Sequence, residues 1–176
     1  MPGNGVCLPW TGKPPDRFSA DNSYEWTAHS QGLFMLAYLW VAIGGALGSV
    51  ARYWISGVVA ENYGDTFPWG TLLINVSGSF LIGALAAVSG PDSRWIGTMT
   101  VGRWAFGPSD FRQLLMMGVC GGYTTFSSFS LQTLNLVRDR EWLHAGGNIL
   151  LSVTLCLIAV WLGYLFGALF NSMKTG

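Results

Sequence analysis

Nine neutral hydrogen-bonding side chains stand inside otherwise apolar stretches: Asn75, Ser77, Ser79, Thr124, Thr125, Ser127, Ser128, Ser130 and Ser152. None of those stretches contains an Asp or Glu. Donors without carboxylates suit a desolvated anion, which needs N–H and O–H groups to replace its lost water. Phe126 and Phe129 are three residues apart and share one helical face beside these donors. Aromatic edges carry partial positive charge and can also face an anion. The same residues would serve equally to bond one helix to another with packed rings between them, so both readings stand at this level.

Other chemistries find less material. Proton-coupled carriers generally place Asp, Glu or His within the membrane as a relay, and the apolar stretches hold none. An intramembrane serine protease needs a His partner; His29 lies in the N-terminal tail and His144 at an expected helix end, and both read as interfacial residues. There is no Gly-rich phosphate loop, metal-ligand cluster or haem motif, and no acidic ring of the cation-channel kind. Cys7, Cys120 and Cys156 lack metal-type spacing, and the two in apolar stretches read as small hydrophobes.

The elements that must hold these residues follow from composition. Of 176 residues, 51% are hydrophobic and 10% charged, the formal net charge is zero and the mean hydropathy is +0.39. A soluble domain carries about 25% charged residues. Four runs lack any formal charge: Ser30 to Ala51, Thr66 to Pro91, Gln113 to Val137 and Ala145 to Met173. About 20 apolar residues in helical form cross a hydrocarbon layer, and each run is long enough. A soluble globular enzyme is excluded by so much apolar surface. A nucleic-acid partner is excluded by the lack of a basic cluster. An outer-membrane barrel would show short alternating segments instead. The pattern predicts an all-α membrane protein with four transmembrane helices at about 33–59, 71–89, 112–137 and 147–170, a transmembrane domain over 30–176.

Residues 1–29, with Pro2, Pro9, Pro14 and Pro15, read as a polar, disordered tail; a signal peptide would need a basic start and an apolar stretch. Gly44 and Gly48 form a small-xxx-small pattern that admits a close helix neighbour. Arg52, near the expected end of the first helix, either snorkels to the headgroups or anchors an interface or a water-filled mouth. Pro68-Trp69-Gly70 starts the second helix. Asn75-Val76-Ser77 fits a glycosylation pattern that cannot be reached inside a bilayer. Residues 92–112 read as a polar connection. In the third run, Gly121-Gly122 followed by a hydroxyl cluster predicts a break near Gly121 to Thr125, because freed backbone groups at that depth need protein, ions or water as partners. Basic residues split four to three between the two sides, which predicts insertion in both orientations.

Three blocks occur in order: Gly44-Gly45-Ala46-Leu47-Gly48-Ser49-Val50-Ala51-Arg52-Tyr53, Pro68-Trp69-Gly70-Thr71-Leu72-Leu73-Ile74-Asn75-Val76-Ser77-Gly78-Ser79-Phe80, and Gly118 through Ser130 with its glycine pair, two threonines and paired Phe. Together they resemble the CrcB/Fluc family of fluoride channels, over about residues 33–172. The resemblance implies a passive fluoride channel of the plasma membrane, not an enzyme, that exports cytoplasmic fluoride. It implies an antiparallel, dual-topology homodimer with two pores along the subunit interface. Asn75 then supplies an amide donor, Phe126 and Phe129 are the paired pore phenylalanines, Thr125 and Ser128 belong to the pore motif, and Ser152 falls on a polar track of the fourth helix. Gly121 and Thr124 match a helix break whose carbonyls hold a central structural Na⁺, and Arg52 matches a vestibular or structural Arg. The chain departs from the family in four places. Gln132 stands where Glu is common, Ser128 where many members have Thr, the 92–112 connection is longer, and the tail has no counterpart. Asn148 keeps a polar group at a position often taken by Tyr or Asn.

Overall fold

The computed structural model describes residues 23–64, 66–89, 99–101 and 104–173. The chain divides into two compact units, Met1–Leu36 and Ala37–Gly176. Most of the expected tail, up to residue 22, lies outside the described residues. Helix α1 runs Ser23–Tyr63, starting before the expected residue 33 and overlapping the segment read as tail. The helix-breaking prolines of that segment end at Pro15, and nothing from Ser23 onward opposes helical backbone. The stretch Met35–Tyr63 of α1 is long and apolar enough to cross a membrane. Its end is set by Gly64 at φ +72, whose N–H returns to the Ala60 carbonyl at 2.9 Å.

Helix α2 covers Trp69–Val88 and α6 covers Trp142–Ser172. With α1 they make three helices long and apolar enough to cross a membrane. The otherwise all-α fold carries one short strand pair in the expected connection at 92–112: β1 (Met99–Val101) and β2 (Trp104–Phe106) pair antiparallel, Met99 opposite Phe106 and Val101 opposite Trp104. Thr, Val, Trp and Phe are β-formers, and here they flank Gly102-Arg103.

The third apolar run, Gln113 to Val137, is not one helix. It is preceded by α3 (Pro108–Arg112), where the Gly107 N–H donates to Asp110 Oδ2 at 2.8 Å. A π-helical stretch, Gln113–Cys120, follows, then the single turn α4 (Gly121–Tyr123). Thr124 (φ −78, ψ 154) and Thr125 (φ −151, ψ 114) are extended, and α5 runs Phe126–Arg138. The α5–α6 turn closes with Glu141 N–H on the Leu136 carbonyl (2.9 Å) and Arg140 N–H on Val137 (3.1 Å). Arg140 takes the left-handed φ of 63 that glycine usually fills in this motif.

Two glycine seams bring these helices into backbone contact. A Cβ on Gly44 would run into the Leu114 carbonyl and the Gly118 Cα, so the neighbour admitted by the Gly44–Gly48 pattern is the π-helical stretch of the same chain. A Cβ on Gly163 of α6 would run into the Phe80 carbonyl of α2. Apolar side chains then point away from the seams; Tyr53, Leu143 and Leu150 are 84%, 91% and 69% exposed, surface that only lipid or another apolar surface can cover.

Gly163→Ala is therefore expected to cost about 1–3 kcal/mol, the usual penalty of overpacking. Gly146→Ala in the same helix, where an added Cβ meets nothing within 4 Å, is expected to be neutral or to stabilise by about 0.5–1 kcal/mol. Thermal unfolding in detergent separates the two.

Candidate functional site

Asn75 sits in the middle of α2, and its side chain meets the interruption of the third run in two directions at once. Asn75 Nδ2 donates to the Thr125 carbonyl at 3.1 Å, and the Thr125 N–H donates to Asn75 Oδ1 at 2.8 Å. A primary amide thus closes both backbone groups of one extended residue. The consequence reaches one turn back. The Thr125 N–H that would have continued the helix on the Gly121 carbonyl is given to Asn75 instead. Asn75 keeps its second N–H uncommitted by this clamp, since an amide nitrogen has two protons.

Thr125 is 8% exposed and caps α5. Its Oγ1 accepts from the Ser128 N–H (3.2 Å), donates to Ser128 Oγ (3.1 Å) and lies 3.2 Å from Ser127 Oγ. A hydroxyl has one proton and two lone pairs, so this one is fully used. Thr125 builds the site through its hydroxyl, while Ser128 Oγ, having accepted that proton, retains its own. Thr124 Oγ1 bonds back to the Cys120 carbonyl at 2.9 Å, and Ser77 Oγ lies 3.0 Å from the hydroxyl of buried Tyr123.

These groups border a cavity of about 350 Å³ whose wall includes Asn75, Thr124, Thr125, Phe126, Phe129 and Ser152. Ser79 adds a further hydroxyl, and Gly78, Ile82, Cys120, Val153, Cys156 and Leu157 complete it with apolar or weakly polar surface. The two rings lie 5.4 Å apart between centroids, tilted by 47°, and Phe126 is 78% exposed. Ser152, 6% exposed, donates to Asn148 Oδ1 at 3.3 Å; Asn148 is 1% exposed and donates to Thr133 Oγ1 at 2.8 Å. Six expected residues thus share one wall. Ser128 stands behind it, held by Thr125, and Gly121 lies outside it, exposed at the surface. Arg52 is also outside it and makes no hydrogen bond or ion pair among the described residues. His144 contacts Glu141 Oε2 at 3.0 Å and the edge of Phe67, at the start of α6 and away from the cavity wall.

A second cavity, about 540 Å³, is bounded by Thr71, Gln132, Asn135, Asp139 and Glu141 among others. Gln132 Oε1 is buried with no hydrogen-bond partner among the described residues. The sequence reading took Cys120 and Cys156 as small hydrophobes and gave no role to Tyr123 or Thr133. Thr133 alone left a trace, a hydroxyl one helical turn after Phe129 on the same face.

The family model described as "CrcB-like protein, Camphor Resistance (CrcB)" matches residues 39–164. The chain belongs to the CrcB family. Among CrcB relatives, the "Fluoride-specific ion channel FluC" of Methylocella silvestris is 56% identical over 137 residues, covering 78% of this chain and 97% of the relative. The proteins of the same name from Opitutus terrae and Rhodospirillum rubrum are 56% and 55% identical over 140 and 136 residues, covering 80% and 77% of this chain and 98% of each relative. CrcB membership and the apolar helices make this a multi-pass protein of the plasma membrane.

The clamp sets an order of stabilities. Asn75→Leu removes both bonds and strands the Thr125 N–H and carbonyl, at about 1–3 kcal/mol for each group left unpaired. Asn75→Asp keeps an acceptor for the Thr125 N–H. The Asp variant is expected to unfold at a higher temperature than the Leu variant, and both below the parent protein.

Proposed function

We propose that the chain is a fluoride-selective passive ion channel that exports cytoplasmic fluoride, and not an enzyme. The observation that carries the reading is the clamped Asn75, which presents a spare N–H on the wall of a cavity lined by two phenyl rings and by hydroxyl residues, without a carboxylate. Fluoride is small and tightly hydrated, so a dry passage must supply several donors in place of its water. On that wall Asn75 offers an N–H, while Phe126 and Phe129 offer ring edges. Carboxylates on that wall would repel an anion. Donors in succession let the ion enter and leave without a deep trap. The relatives' printed name, fluoride-specific ion channel, supports the same substrate.

The finer reading is a third span broken at Thr124–Thr125, within an antiparallel homodimer of dual topology. A ring 78% exposed on a single chain is what a second copy would cover, and the even split of basic residues supports insertion both ways. The freed Gly121 carbonyl and the carbonyl of Thr124, turned off the helix by its ψ of 154, are hard oxygen donors that fit a structural Na⁺. When bound, that ion would supply positive charge to backbone oxygens otherwise unpaired in an apolar layer. Arg52, without a hydrogen bond or ion pair among the described residues, suits the vestibule.

The experiment is fluoride efflux from liposomes read with an electrode. The protein is expected to pass fluoride rapidly, indifferent to a proton gradient and far faster than chloride. Asn75→Asp is expected to abolish the flux by placing a repelling charge at the donor, and Phe126→Ile to slow it. A well-folded protein without fluoride efflux would instead be a membrane scaffold, and unchanged flux in both variants would remove the pore assignment.

A further inference from the structure

The hydroxyl of Thr133 on α5 carries two hydrogen bonds with different reach. It donates to the Phe129 carbonyl, one turn back, at 2.7 Å, and it accepts from Asn148 Nδ2 of α6 at 2.8 Å. Thr commonly back-bonds to its own helix with little consequence beyond a slight bend. The bond from Asn148 is what distinguishes this one. Asn148 is among the most deeply buried side chains, at 1% exposed, and its Oδ1 is held by Ser152 at 3.3 Å.

The bonds form one directed chain from Ser152 through Asn148 and Thr133 to the Phe129 carbonyl. It begins at one residue of the 350 Å³ cavity and ends on the backbone of another. Direction is enforced locally: a hydroxyl owns a single proton, and with Asn148 Nδ2 on its acceptor side that proton goes to Phe129. Thr133 itself borders neither cavity. Any influence on a passing ion must therefore act through the placement of Phe129, whose ring stands 5.4 Å from that of Phe126.

We propose that Thr133 is a positioning residue for fluoride passage, tying the Phe129 backbone on α5 to the buried amide of α6 so that the paired rings keep their place on the cavity wall. The proposal rests on the fluoride-channel reading. Thr133→Val keeps the side-chain shape and removes the oxygen, so the Phe129 carbonyl loses its side-chain donor and Asn148 Nδ2 its acceptor. Thr133→Ser keeps the oxygen and drops a methyl group.

The test is fluoride efflux from liposomes, normalised to the folded protein recovered by size exclusion. Thr133→Val is expected to pass fluoride at least about tenfold more slowly while eluting as the parent does, and Thr133→Ser to remain within about twofold of the parent, because loosened support of a placed group degrades function before fold. A Val variant within about twofold of the parent overturns the proposal. So does a loss in both variants, which would make the methyl group, not the oxygen, the operative feature. If Thr133→Val does not fold, Thr133→Cys, with a weaker donor and acceptor in similar space, is read against the same thresholds. Absence of efflux from the parent protein sinks the channel reading itself, an outcome distinct from parent-like flux in the Val variant.

Discussion

In an apolar layer a backbone amide has no water to fall back on, so every residue that leaves helical geometry must find a partner in the protein or keep none. The structure resolves this at Thr125 with one side chain. Asn75 takes the N–H and gives to the carbonyl of the same residue, and few side chains other than a primary amide can do both in one plane. The departure from helix, the freeing of the Gly121 carbonyl and the capping of α5 by Thr125 all follow from that pair of bonds. The clamp also leaves one Asn75 proton over. In the proposed channel, structural and functional demands on Asn75 are met by different atoms of the same group.

Close backbone approach is the second condition. Asn75 can reach Thr125 because α2 lies against the third run, and Gly78 of α2 has no Cβ where the Thr124 methyl and the Tyr123 ring sit. The Gly44–Gly118 and Gly163–Phe80 contacts hold α1 and α6 equally near. With helices this close, short polar side chains such as Ser152, Asn148 and Thr133 bridge between them or along them, and long charged ones are not required. That accounts physically for a polar site in a chain with only 10% charged residues.

Much of this was legible in the sequence because polar residues inside apolar runs are conspicuous. The neutral donors and the Phe pair could be picked out by type alone, and Asn75, Thr124, Thr125, Phe126, Phe129 and Ser152 share one cavity wall. The bonding was not legible. Thr125 looked like a free donor, yet its hydroxyl is saturated by Ser128 and Ser127, because spacing reveals which hydroxyls are near and not where their protons go. Helix ends were misjudged where composition drifts gradually, as at Ser23, and where polarity masked helical backbone, as at Trp142. The π-helical stretch Gln113–Cys120 and the short strands Met99–Val101 and Trp104–Phe106 carry no periodic signal of sufficient length to be read from the chain.

The central claim is that the two protons of Asn75 Nδ2 do different work, one fixed on the Thr125 carbonyl and one free for the ion. Side-chain amide NMR of the protein with ¹⁵N-asparagine, titrated with fluoride and with chloride as control, observes them separately. The account predicts that one Asn75 proton resonance shifts with fluoride while its geminal partner stays nearly fixed, and that chloride moves neither. Two Asn75 protons that shift together, or that ignore fluoride altogether, would contradict it.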